Sequence, residues 1–311
     1  MLLWLHREAV GPYMQTMHFC FALGAFASPL VLEGLGSGAY ATAFIIFGCA
    51  CMVVVPALAL LVSPVAPPSA SGDNDHQHHP NTRGLPSPPR VHQEWMLVLS
   101  AAATLFVYVG LETGFGGYLV TFVVRGPLQQ SESTGQAMSS AYWGAIAFGR
   151  FLSIFASTRF SPSQMLWTST TMSLAAMLVM VLLHSSLVAM WAGSMAFGVG
   201  MACIFPTVIA LAETYMRVHG KHATVFVVGA SIGEMVIPLS VAEAFDPVGP
   251  MSFLVILCVG CVCQLAALRV MTSRGASLVQ DSSSCAADQP VVELVEAASN
   301  QSDPIRIPSA V

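Results

Sequence analysis

Charged residues are scarce in this chain: they make up 9% of its 311 residues, where an ordinary soluble domain carries about a quarter. So little charge excludes a water-soluble globular protein. The net charge of −5 says little about partners, because much of the acidity lies in tails and loops. Motifs of soluble chemistry are missing as well. There is no glycine-rich phosphate loop closed by Lys and Ser/Thr, no zinc-protease helix and no nucleophile elbow, so enzyme activity is not expected. Nor is there a basic patch for nucleic acid. The apolar stretches lack the period-two alternation of a membrane barrel. The start MLLWLHREAVG has too short an apolar run for a cleaved signal, and charge follows it where a cleavage site would stand, so the first span is expected to act as its own insertion signal.

What the chain has in abundance is apolar sequence, with 55% hydrophobic residues and a mean hydropathy of +0.71. Eight stretches approach the roughly 20 residues that cross a bilayer. They lie near 13–33, 38–62, 96–124, 137–158, 163–184, 187–211, 222–242 and 250–270, and all are expected to be helical. With the N-terminus in the cytosol, Arg7, Arg83, Arg90, Arg150, Arg159, Arg217, Lys221, Arg269, Arg274 and Arg306 fall inside and only Arg125 outside, as the bias of basic residues toward cytosolic loops requires. An even number of spans puts both termini in the cytosol. Seven of the eight cysteines fall in spans and Cys285 in the cytosolic tail, so no disulfide framework is expected and the cysteines read as small packing residues. No organelle-retrieval signal ends the chain at IRIPSAV, which leaves the plasma membrane as the default.

Two segments depart from this composition. Residues 63–94 are rich in Pro, Ser, His and Gly, and residues 273–311 in Ser, Ala and acidic side chains; both read as disordered cytosolic segments. His76, His78 and His79 fall in the first of these, where a solvated linker is the expectation rather than a metal cluster. The linker leaves two spans before it and six after it. Many secondary transporters are six-helix bundles joined by such a loop. Residues 95–272 are therefore expected to form one complete bundle and residues 1–62 the remnant of another, without its first four helices.

Glu112 and Glu234 lie deep in expected spans. A carboxylate there costs roughly 3 kcal/mol by insertion scales, so it is rarely kept without a partner, a cavity or a transported ion. Thr104, Tyr108 and Glu112 follow at steps of four and share a helix face polar enough to line a pathway, with Tyr118 near the outer end. Glu112 could coordinate sodium, accept hydroxyls or be held protonated in a structural bond. Ser231 and Glu234 share a face at a step of three, and Glu234 could equally pair with a basic residue. The glycines at 110, 114, 116 and 117, and Gly193, Gly198 and Gly200 with Pro206 three spans later, occur at equivalent places in the two triplets. Such residues mark either broken helices at a binding site or close helix packing. Trp143 and Tyr142 could stack on a sugar face or simply pack. Gln15 and His18 share a face but sit near a helix end that could be merely wet. Glu213, four residues before Arg217, is expected to form a gate or a terminal ion pair. Arg150 and Arg159 are placed where a cytosolic loop joins two helices, in a role of conformational coupling.

The stretches GPYMQTMHFCFALGAFASPL, YVGLETGFGGYLVTFV, AYWGAIAFGRFLSIFASTRFSP, GMACIFPTVIALAETYM and VVGASIGEMVIPL resemble helices five, seven, eight, ten and eleven of the major facilitator superfamily. More narrowly, the chain resembles the branch of sodium-dependent glucose transporters and domain-containing-4 proteins, distant relatives of fucose permeases. The most specific pieces are YVGLETGFGG and GASIGEMVIP. The resemblance implies a bundle of about twelve helices, alternating access, and a monosaccharide carried with sodium, with no other cofactor. It covers about residues 11–270, and nothing matches helices one to four. The expectation is an all-α membrane protein of major facilitator type that moves a sugar with sodium. The alternative is a form that carries nothing and associates with itself or with a longer homologue.

Overall fold

A computed structural model describes residues 10–35, 40–60 and 88–287. The histidines at 76, 78 and 79 and most of the two polar segments lie outside them. Every element is a helix: α1 Val10–Leu35, α2 Tyr40–Ala59, α3 Pro88–Arg125, α4 Glu132–Ala156, α5 Pro162–Leu182, α6 Leu187–Met201, α7 Ile204–Tyr215, α8 Gly220–Phe245 and α9 Met251–Ala287. With α6 and α7 as halves of one span, these are the eight anticipated helices. The described helices reach further than the composition indicated: α3 begins at Pro88, inside the segment read as linker, and α9 continues well beyond residue 272.

Among the described residues six stretches are long and apolar enough to cross a membrane: Ala41–Leu58, His92–Arg125, Pro162–Leu182, Leu187–Tyr215, Gly220–Phe245 and Met251–Gln280. The remaining two, α1 and α4, have 26 and 25 residues, long enough to cross a bilayer, and carry polar side chains among their apolar ones. Their polarity points inward. Gln15 and Arg150 are buried, whereas Met17, Phe21, Phe148, Phe151, Leu152 and Phe155 face outward. Lipid meets an apolar surface, and the polar groups meet one another. The chain is a multi-pass membrane protein.

Local sequence sets the turns. Ser131 accepts from the Thr134 amide at the start of α4, and Ser161 with Gln164 forms a capping box on α5 behind Pro162. Ser186 caps α6 through the Ala189 amide. Each cap satisfies donors that a helix start leaves open, which matters most where little water reaches.

The long helix α3 is the axis of the bundle, with α8 and α9 along one side and α4 along another. Leu105, Tyr108, Leu111, Phe115, Leu119 and Phe122 of α3 are almost fully buried, and Phe115 meets the rings of Tyr142, Phe197 and Phe253 at centroid distances of 4.8, 4.8 and 5.6 Å. The helix α1 lies across α4 and α7, while α2 leans mainly on α1 and is exposed along most of its length.

Gly110, Gly114 and Gly116 of α3 lie against neighbouring helices. No break occurs at residues 110–117, because α3 is continuous from Pro88 to Arg125. A Cβ on Gly110 would come within 2.6 Å of the Gly233 carbonyl oxygen, one on Gly229 within 2.8 Å of the Ala102 carbonyl oxygen, and one on Gly233 would collide with the Phe106 carbonyl. These residues let the backbones of α3 and α8 touch. At the equivalent place three spans later the other alternative holds: the helix stops at Met201 and resumes at Ile204.

Candidate functional site

The break has a simple origin. In a continuous helix the amide of residue 206 would bond the Ala202 carbonyl, but residue 206 is proline and has no N–H to give. The Ala202 carbonyl is left without its helical donor, and the Arg150 Nε of α4 donates to it at 3.2 Å. A backbone acceptor at mid-membrane depth is thus supplied by a proline and used by a cation.

Arg150 is 2% exposed. Its Nη1 donates to the His18 carbonyl of α1 at 3.3 Å, and its Nη2 to the Tyr108 hydroxyl at 3.2 Å and the Glu112 carboxylate at 2.9 Å, both on α3. Glu112 is 6% exposed. This ion pair answers for the cost of a carboxylate at that depth, since an ion withdrawn from water is tolerated where an opposite charge and hydrogen bonds meet it. The guanidinium draws α1, α3, α4 and the α6–α7 break to one point. The Tyr142 hydroxyl donates to the Glu112 carbonyl at 3.0 Å.

The placement of Arg150 corrects the sequence-based assignment to a cytosolic loop junction. It lies inside α4 with its head in the bundle. Arg159 does sit in the turn after α4 and is exposed. Glu213 is half-buried and accepts from the Val218 amide at 2.8 Å; among the described residues it makes no ion pair with Arg217, because the turn at Met216 gives the carboxylate a nearer donor.

The face of Thr104, Tyr108 and Glu112 is turned into the bundle rather than along an open pathway. Thr104 is fully buried, and its hydroxyl donates to the Ser100 carbonyl one turn back at 2.8 Å. Tyr118 is half-buried against Phe245, at 6.1 Å between ring centroids. Trp143 is half-buried, lies over Gly116 and meets Tyr142 at 5.2 Å, so in this structure it packs. Ser231 and Glu234 lie on the exposed side of α8, away from the cluster, and Glu234 has no ion-pair partner among the described residues.

Sequence inspection had passed over the seam between α1 and α7. Gln15 is 2% exposed, not part of a wet helix end, and its Nε2 donates to the Thr207 hydroxyl at 3.0 Å. The Thr207 hydroxyl in turn donates to the Cys203 carbonyl at 2.6 Å. His18 stacks obliquely on Phe205 at 4.9 Å, and Phe205 stands edge-on to Tyr108 at 6.3 Å. The signal available in advance was the step of three between Gln15 and His18. Their partners, nearly two hundred residues away, gave none.

A separate groove of about 390 Å³ between α4 and α6 is lined by Ala141, Gly144, Ala145, Phe148, Met195, Ala196 and Val199. It offers no polar side chain, so it has nothing with which to orient a polar solute. Among the described residues no group of three His, Cys, Asp or Glu side chains is placed to hold a metal ion.

The sequence profile described as the Major Facilitator Superfamily matches residues 2–238. Sodium-dependent glucose transporter 1 of Xenopus laevis is 29% identical over 260 residues, covering 76% of this chain and 51% of that protein. The human protein of that name is 29% identical over 255 residues, covering 73% and 49%. Major facilitator superfamily domain-containing protein 4A of Xenopus tropicalis is 32% identical over 168 residues, 54% of this chain and 33% of that one. Among solved structures, the transporter FucP in its outward conformation superposes with a TM-score of 0.53 at 17% identity, over 74% of this chain and 54% of FucP. The chain spans about half the length of the sodium-dependent glucose transporters it matches.

Proposed function

This chain belongs to the Major Facilitator Superfamily, and from that premise we propose that it forms part of a secondary transporter that moves glucose or a related monosaccharide together with sodium by alternating access. The observation that carries the proposal is the buried Arg150–Glu112 pair, hydrogen-bonded to α1, α3 and the broken α6–α7 span. Intramembrane charge pairs of this kind mark substrate and ion pathways. Glu112 is the natural ligand for a cation here. Sodium would take the carboxylate in place of the Arg150 Nη2, so cation binding would free one arm of the guanidinium and loosen its hold on the helices. Tyr108, which shares that nitrogen, would feel the exchange first. The location that fits this role is the plasma membrane with both termini cytosolic, following the distribution of basic residues.

A second reading is favoured by α8. Ser231 and Glu234 lie on an exposed face of a membrane helix, where a carboxylate against lipid is costly. On this reading the chain associates with a longer homologue or another copy that covers that face, and carries nothing itself. Radiolabelled glucose uptake, in cells that display the 311-residue chain at their surface and with sodium present or replaced by choline, separates the two. Sodium-dependent uptake supports the transporter. Surface display without uptake, together with co-purification of a longer homologue, supports the associated form.

A further inference from the structure

At one end of the bundle the starts of α3 and α8 meet around a tryptophan. The two helices run in parallel, with Ala102 against Gly229 and Phe106 against Gly233, which brings Trp95 level with the first turn of α8. The Lys221 ammonium lies over the indole at 5.7 Å, and the His222 ring meets it edge-on at 5.6 Å. Trp95 is 36% exposed, and Arg217, His219 and Lys221 are exposed at the same end of α8. Two carboxylates adjoin this patch, Glu94 and Glu213, both half-buried, and Glu213 is turned to the Val218 amide at 2.8 Å. One turn further into the bilayer the surface becomes apolar. Leu99 follows Trp95 along α3 and is exposed, while Val225 and the exposed Val228 follow Lys221 on one face of α8. We propose that this seam between α3 and α8 binds an anionic phospholipid, its phosphate on Arg217 and Lys221, its glycerol level with Trp95 and one acyl chain along Leu99 and Val228. The proposal goes beyond the transporter reading, since it needs only that α3 and α8 cross a bilayer.

The order of side chains along the seam selects the ligand. Tryptophan belongs at the headgroup level of a bilayer, where its ring is half in hydrocarbon and its N–H is wet. Lysine lays its stem on apolar surface and keeps its ammonium at the interface, and here the Trp95 face holds that ammonium in place. Charge, amphipathic ring and apolar strip thus follow in the order of phosphate, glycerol and acyl chain. On the orientation derived from the basic residues, this end meets the cytosolic leaflet, whose anionic lipids strengthen binding about fivefold for each nearby Lys or Arg. A soluble anion would use Arg217 and Lys221 but leave Leu99 and Val228 without a partner. A zwitterionic lipid would bring its own cation against Lys221. An occupant that touches both helices also ties the start of α3, the helix of Tyr108 and Glu112, to the start of α8.

The test uses the full chain in lipid nanodiscs, with phosphatidylglycerol and phosphatidylcholine carrying brominated acyl chains, which quench tryptophan fluorescence on contact. Trp95 is one of five tryptophans, so its share of the signal is read by difference from Trp95→Phe, which keeps a ring for Lys221 and His222. The parent should favour phosphatidylglycerol about tenfold or more, and Trp95→Phe should remove most of the extra quenching. Lys221→Gln and Arg217→Gln should each lower the preference by up to about fivefold, and together bring it close to unity. Arg159→Gln removes a charge from the same end, in the turn between α4 and α5, and should leave the preference as it is. Native mass spectrometry of the parent gives a readout that needs no variant: phosphatidylglycerol should stay bound after phosphatidylcholine has left. Equal quenching and equal retention of the two lipids by the parent would overturn the site. Loss of the preference in Arg159→Gln as large as in Lys221→Gln would also overturn it, by showing a diffuse surface potential. Displacement of brominated phosphatidylglycerol by inorganic phosphate would overturn it in favour of a soluble anion. None of these outcomes bears on sugar uptake, so the transporter reading stands or falls separately.

Discussion

Arg150 has five N–H donors, and four of them go to two carbonyls, a phenol and a carboxylate. Such a residue holds a bundle together only while its counter-charge is present. Removing one member of a buried pair costs about 3–5 kcal/mol, whereas replacing both with apolar side chains of similar volume is often neutral. Glu112→Ala should therefore lower the thermal unfolding midpoint strongly in detergent, and Glu112→Met combined with Arg150→Met should recover most of the loss. A double variant as unstable as the single one would show that Arg150 is held mainly by its carbonyl acceptors. Glu112→Gln keeps an acceptor for Arg150 and removes the charge. Sodium-dependent uptake in a full-length relative carrying the change should vanish while expression persists. Unaltered sodium dependence would remove Glu112 from the coupling role. The sequence singled out Glu112 by its depth and by the face it shares with Thr104 and Tyr108. It placed Arg150 at a loop because nothing in its neighbourhood reveals a carboxylate 38 residues away.

At the scale of helices, two devices can be separated by substitution. The contact of α3 with α8 depends on Gly110, Gly229 and Gly233. Gly233→Ala would drive a methyl group into the Phe106 carbonyl, and overpacking of this kind costs about 1–3 kcal/mol or more. The expected outcome is a lower unfolding temperature, with no gain from the better helix propensity of alanine. The α6–α7 break depends on Pro206. Pro206→Ala returns a helical donor to the Ala202 carbonyl and improves helix propensity by up to about 3 kcal/mol, so the span should become more stable and more continuous. Its Arg150 contact would then compete with a backbone amide. If the break takes part in transport, uptake should fall as the unfolding midpoint rises. Uptake that follows stability upward would make the break incidental. Glycine and proline spacing pointed to both places, but could not tell a packing surface from an interruption: the difference lies in whether a neighbouring backbone fills the space a side chain would take.

For the molecule as a whole, the bundle needs its ends on opposite sides of a membrane. Arg125 and Asp246 pair at 2.6 Å on one end, at the C-termini of α3 and α8, and Arg125 also lies over the Phe245 ring at 5.4 Å. Arg159, Arg217 and Lys221 mark the other end, where Lys221 lies over Trp95 at 5.7 Å. With the native cysteines blocked or replaced, a cysteine at position 246 should react with an impermeant maleimide in intact cells. One at position 159 should react only after permeabilisation. The reverse pattern would invert the topology derived from the basic residues. The exposed Arg125–Asp246 pair should contribute little to stability, as solvent-exposed pairs do, so Asp246→Cys is not expected to disturb the bundle.

What the sequence by itself determined about this protein is what depends on neighbours along the chain and on the solvent. These are the all-helical membrane class, the positions of the spans and the capped turns between them, together with the family resemblance that the profile match bears out. Each follows from local composition, because a bilayer demands an apolar run whose backbone bonds itself. The tertiary structure decided which polar groups meet. Gln15 reaches Thr207, Arg150 reaches both Glu112 and the carbonyl that Pro206 leaves open, and Gly110 of α3 turns to Gly233 of α8. Those choices come from helix rotation and crossing, which a repeating apolar pattern leaves undetermined when nearly every face of a helix is apolar.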